Sequence, residues 1–161
     1  MKKKHLPLIL SAVVCALALC IMISILICPA QTEQVPFTPP PFEQGAVSGV
    51  PVVPENLGWG QLDAKVYKVS VCGVLQVENG KIDVWLTNPE ENNVWMKLRI
   101  LDLDGNLLGE TGIIRPGEYV RQVTLNEIPG NGENVALKIM AYEPESYYSA
   151  GAVTLNTTIS G

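Results

Sequence analysis

Two alternating runs meet at Asn79-Gly80, and that junction constrains the fold more than any other feature of the chain. "KVYKVSVCGVLQV", residues 65–77, places Tyr67, Val69, Val71, Leu75 and Val77 on one face; "KIDVWLT", residues 81–87, does the same with Ile82, Val84 and Leu86. Period-two alternation marks half-buried strands, and Asn-Gly is the favoured pair for a two-residue type I′ turn because both central residues need positive φ. A turn there sets Val77 opposite Ile82 and Leu75 opposite Val84. Both pairs fall on the apolar faces that alternation defines independently, and a one-residue slip destroys the match.

The chain downstream follows the same grammar. "VWMKLRIL" turns Val94, Met96, Leu98 and Ile100 inward, and "DLDGNLL" bends at Asp104-Gly105. In "RPGE", Pro116 and Gly117 stand where a type II turn needs them. "EYVRQVTL", "NVALKIMAY" and "AGAVTLNTTI" supply the last three strands, with a loop over residues 129–132. About seven short strands within about 100 residues, and no helical periodicity, predict an all-β domain over residues 59–161. The expected form is an antiparallel immunoglobulin-like β-sandwich.

The N-terminal third reads differently. Lys2, Lys3 and Lys4 precede an uncharged stretch over residues 6–28. At ~1.5 Å per residue it makes a helix of roughly 34 Å, long enough for a hydrocarbon core of ~30 Å. A cleavable signal has an apolar centre of only about 7–15 residues, so the reading is an uncleaved transmembrane anchor. The lysines then leave residues 1–5 as a cytoplasmic stub and everything after Cys28 outside the cell. Cleavage after Ala30, which yields a secreted protein, is the alternative. Cys20 in "LALC" and Cys28 in "ILIC" are poor matches to a lipidation site. Residues 29–58, with "TPPP" at their centre, read as a Pro-rich extracellular linker, or as a docking peptide around "PFTPPPF".

"LRILDLDGNLLGETGIIRPGEYVRQVTL", residues 98–125, combines a strand, an Asp/Gly hairpin and a "PGE" turn before the next strand. In this it resembles bacterial FxLYD-type and related immunoglobulin-like domains, with "ILD" at Ile100 to Asp102 standing for the leading motif. The layout as a whole resembles small N-terminally anchored envelope proteins of Gram-positive bacteria. The resemblance implies a sandwich fold and a surface location, and no chemistry.

Charge and residue types narrow the function classes. Of 11 Lys and Arg, three lie before the uncharged run, leaving 8 against 16 Asp and Glu. An acidic external part argues against nucleic acid, which requires clustered basic groups. The single histidine, His5, lies in the stub, so the external part holds no Ser-His or Cys-His pair, and Cys72 stands alone for zinc or a disulfide. Glu90 with Glu91 and Glu143 with Glu145 fall in expected loops, where charge is simply solvated. "DLDGN" departs from the EF-hand pattern, with Leu107 and Ile113 where Gly and Glu belong. Asn156-Thr157-Thr158 is a formal glycosylation sequon inside an expected strand. The expectation is a non-enzyme with no cofactor: a binding or accessory module of an envelope assembly, with a purely structural spacer as the alternative.

Three local features carry that expectation. The hairpin register sets Val74 opposite Trp85 on the outer face, and alternation also turns Trp95 outward, so the two rings form a candidate patch for a protein or glycan partner. The rival readings are that the stalk folds back over it, or that Trp95 turns inward as a core tryptophan. "YEPESYYSAG", residues 142–151, joins the last two strands; Tyr147 and Tyr148 give it the composition of a recognition loop, or else plug the end of the core. Strict alternation turns Cys72 outward as an exposed thiol, but the favoured reading is that Gly73 marks a bulge that turns it inward as an inert core residue.

Overall fold

The computed structural model describes Leu17 and residues 37–160. The stub over residues 1–5, the expected span over 6–28 (Leu17 apart) and the first part of the expected linker lie outside the described residues. Among the described residues, no helix is long and apolar enough to cross a membrane. The chain divides into two compact units, Met1–Thr38 and Pro39–Gly161; the second is the one described below.

Among the described residues ten strands run in this order: β1 Val47–Ser48, β2 Trp59–Asp63, β3 Lys68–Cys72, β4 Leu75–Glu78, β5 Lys81–Asn88, β6 Trp95–Leu101, β7 Leu107–Glu110, β8 Glu118–Thr124, β9 Asn134–Tyr142 and β10 Ser149–Ser160. They pair as one curled, mixed sheet in the order β1-β8-β5-β4-β10-β9-β6-β7, with β3 against β2 and β5. All-β is therefore the fold class. Every named pairing is antiparallel except β4 with β10, where Leu75 and Ile159 run parallel. β7 reaches back to the end of β8 through a bridge from Gly109 to Leu125, and the Asn126 N–H donates to the Leu108 carbonyl at 2.7 Å. The strand order thus returns on itself.

The hairpin forms as its sequence dictates. Val77 faces Ile82 and Glu78 faces Lys81, and Asn79 and Gly80 take φ of 53° and 74°. The expected pair of Leu75 with Val84 does not form, because the ladder between β4 and β5 stops and Leu75 turns to Ile159 instead. Both remain fully buried. Gly117 has φ of 78° and the Glu118 N–H donates to the Arg115 carbonyl, closing the "RPGE" turn. Val94, Met96, Leu98 and Ile100 are buried in β6 as alternation requires. They share one core with Leu75, Ile82, Leu86, Leu137 and Ile139. At about 25 cal/mol per Å² of apolar surface, this shared core is the main force holding the sheet curled.

Further expectations need correction. The run over residues 65–77 is two strands, broken at Gly73, and about seven antiparallel strands become ten in a mixed sheet. The break at Gly73 accompanies full burial of Cys72, the reading the sequence favours. The linker is also shorter than the sequence suggests, since the second unit begins at Pro39. Within the stretch read as spacer, Leu57 is buried and β1 pairs with β8, Val47 facing Tyr119. Proline removes N–H donors but leaves carbonyls and neighbouring donors free to join an edge, and these do.

Candidate functional site

Alternation brings Trp95 to the start of β6, on the face opposite Val94 and Met96. Met96 exchanges both main-chain hydrogen bonds with Ile114, at 3.0 and 2.8 Å, which sets the short stretch 113–114 along β6. Ile113 in turn donates to the Pro41 carbonyl at 2.9 Å and accepts from the Glu43 N–H at 2.8 Å. An extended segment, residues 41–43, is thereby added as a parallel bridge, Phe42 beside Ile113.

That pairing delivers the Phe42 ring to Trp95. Their centroids lie 5.0 Å apart, edge to face, and Trp95 meets Tyr147 in the same manner at 5.2 Å. Edge-to-face contacts set the positive rim of one ring on the negative face of the next. The Arg115 guanidinium stacks over Phe42 at 3.7 Å from the centroid, a cation–π contact. Glu43 completes the attachment: its carboxylate accepts from the Gly112 N–H at 2.7 Å and from its own turn at Gly45 at 2.9 Å. A Cβ on Gly112 would lie 2.6 Å from the Glu43 nitrogen, so glycine is required for the approach.

Tyr147 and Tyr148 divide between two roles. The connection from β9 to β10 is tied by the Glu143 N–H to the Tyr148 carbonyl, 2.8 Å, and the Tyr147 N–H to the Glu143 carbonyl, 3.0 Å. Tyr147 adopts φ of 57° and Glu145 of 65°, left-handed conformations that are uncommon for such side chains. This fold of the loop sends Tyr147 down onto Trp95, while Tyr148 stays 73 % exposed.

Trp85 belongs to a different cluster. Its expected patch with Trp95 and Val74 does not form, because β5 bulges between Asp83 and Leu86 and Trp85 takes φ of 46°. A β-branched or aromatic residue in that region is a strained one. Trp85 stacks on Tyr119 at 6.1 Å, and Arg121, paired with Asp83 at 3.3 Å, lies 5.2 Å from its ring. The Trp59 indole N–H donates to the Trp85 carbonyl at 3.0 Å, whereas the Trp85 indole N–H is buried with no acceptor among the described residues. Val74 sits at the break between β3 and β4, partly buried, its N–H donating to Leu57.

The remaining reactive groups serve the framework. The Cys72 thiol is pushed up to about 12 by burial and, second, by the charge of Asp83. The Asp102 carboxylate accepts from both the main-chain and side-chain N–H groups of Asn106, at 2.7 and 2.8 Å, and closes the β6–β7 hairpin. Those hydrogen bonds hold its carboxyl below the usual range. Among the described residues, no group of three or more His, Cys, Asp or Glu stands together to hold a metal ion.

Phe42, Gly112 and Arg115 are the residues that alternation and turn chemistry pass over. The one signal for them is "PPPFE" itself, a rigid extended peptide carrying an aromatic ring and a carboxylate. Comparison with protein families and with characterised proteins finds no match to this chain.

Proposed function

We propose that this protein is a membrane-anchored, extracytoplasmic binding or accessory module of an envelope assembly. Residues 6–28 anchor it, and an immunoglobulin-like β-sandwich presents its β9–β10 loop to a protein or glycan partner. The observation that carries this reading is Tyr148, an exposed ring on a loop whose backbone is locked by its own hydrogen bonds and by Tyr147 against Trp95. A rigid aromatic side chain offers contact area at small entropic cost. The acidic surface favours a partner that is basic or neutral.

The test compares the full-length chain with Tyr148→Ala in cells that produce it. The expected result is that both partition with membranes and melt within about 0.5 kcal/mol of each other, as exposed substitutions do. Cross-linked species formed by the native chain are expected to disappear in the variant. A mature N-terminus at Gln31 in mass spectra overturns the anchor. Cross-linking unchanged by the substitution overturns the binding role and leaves a spacer.

A further inference from the structure

Residues 41–43 lie in their groove as a ligand lies in a site. The main chain of Ile113 reads the Pro41 carbonyl and the Glu43 N–H, Trp95 and Arg115 enclose the Phe42 ring, and the Gly112 N–H takes the Glu43 carboxylate. Strand addition with a side-chain anchor is how grooves recognise extended peptides. The bare Cα of Gly112 is what admits this one.

The connection behind the strap matters equally. After β1, residues 49–54 read "GVPVVP". Gly49 has φ of 110° and donates its N–H to the Gly117 carbonyl at 2.8 Å; Pro51 is buried and Val53 packs against the core, while Val50 and Val52 are 81 % and 93 % exposed. Pro51 and Pro54 keep the stretch extended and bring no N–H to a turn. At ~3.1 Å per residue, six residues span roughly 19 Å. Once Gly49 parts from Gly117, a connection of that reach does not force the strap onto its own groove, and exchange of an identical element between copies is a low-cost route to a dimer.

We propose that the groove is a peptide-binding site whose ligand is the Pro41-Phe42-Glu43 strap of a second copy of this chain, the two copies exchanging residues 39–48 reciprocally. Every contact that residues 41–48 make in the closed monomer reappears in the exchanged pair, only the connection over residues 49–54 being rearranged, so protein concentration decides between the two forms. Reciprocal exchange closes with two-fold symmetry and leaves no groove empty. The acidic surface opposes approach at long range, so added salt shifts the balance toward exchange. The exchange deepens the reading of the aromatic end as a binding surface and rests on it for its biological use.

The test uses the full-length chain in detergent. Phe42→Ala weakens the strap and leaves the groove intact; a synthetic peptide of residues 39–48 is titrated against it with tryptophan emission as the readout. The expected result is saturable binding about tenfold tighter than for the same peptide with its Phe replaced by Ala, and about tenfold tighter than to the native chain, whose groove is filled. Sedimentation of the native chain is expected to show a concentration-dependent dimer that is absent in F42A and in Gly112→Ala, which blocks the groove. Equal binding of both peptides, or none, overturns the site. A native chain that stays monomeric up to about 1 mM, the effective concentration of a short tether, overturns the exchange, as does a dimer that survives G112A. Should F42A fail to fold, Glu43→Gln keeps the ring and serves in its place. Tyr148→Ala is expected to dimerise as the native chain does, which separates failure here from failure of the partner-binding role.

Discussion

Cys72 shows how much one residue's surroundings decide. Facing water, its thiol would ionise near 9.0; fully buried and beside Asp83 it is held to about 12. The unfolded chain then releases this proton well before the folded chain does, so stability is intact below pH 9 and falls as pH rises from 9 toward 12. Tyr67, also raised by burial, acts in the same direction. Denaturant titrations at pH 8 and pH 10.5 are expected to show this loss, and Cys72→Ala to reduce it. Iodoacetamide at pH 8 is expected to leave Cys72 unmodified in the folded chain and label it on unfolding, read by peptide mass mapping. Asn88 makes the complementary point for a neutral group. Fully buried, its amide donates to the Val94 and Ile114 carbonyls at 2.8 and 3.3 Å and its oxygen accepts from Asn92 at 2.8 Å. These bonds satisfy a polar group that would otherwise oppose burial.

Among the elements, the β6–β7 hairpin carries the most charge. Glu110 accepts from Lys97 at 2.8 Å and from Arg99 at 3.1 Å. Burial alone pushes its carboxyl up, but the hydrogen bonds and charges of Lys97 and Arg99 together outweigh it and hold the group below its ordinary value. The contribution to stability is present above the ordinary carboxylate range and is lost as pH falls through the lowered value. Melting between pH 6 and pH 3 is expected to show a smaller acid loss in Glu110→Gln than in the native chain. The hairpins themselves were legible in the sequence, because Asn79-Gly80, Asp104-Gly105 and Pro116-Gly117 encode their turns locally. The bulge at Trp85 was not. Its positive φ accompanies a register shift against β8, and its partners, Tyr119 on β8 and Trp59 on β2, are distant in the chain, so neither alternation nor turn chemistry in β5 reports them. The site was half legible for the same reason: Trp95, Tyr147 and Tyr148 stood out by type, while Phe42 reaches Trp95 only through Ile113, far along the chain.

For the second unit as a whole, closure depends on two narrow seams. One is the bridge from Gly109 on β7 to Leu125 after β8. At the other, β4 meets β10 over two residue pairs, and the Thr157 hydroxyl donates to the Gly73 carbonyl. Ile159 is the buried side chain on that seam. Ile159→Ala is expected to lower unfolding free energy by about 2–4 kcal/mol, the cost of an aliphatic cavity, measured by urea denaturation. The strap and β1 are held as narrowly, by one bridge with its ring and carboxylate contacts and by two residue pairs. That narrowness acquires a mechanical meaning when tension is applied from the N-terminal side. Pulled at residue 39, the chain parts first at Phe42 and then at Val47, a few bonds at a time as in a zip, before load reaches the core. Ten residues paid out at ~3.5 Å each give on the order of 35 Å of slack. The sheet behind it stays folded, so the segment behaves as a breakaway tether that yields in place of the domain.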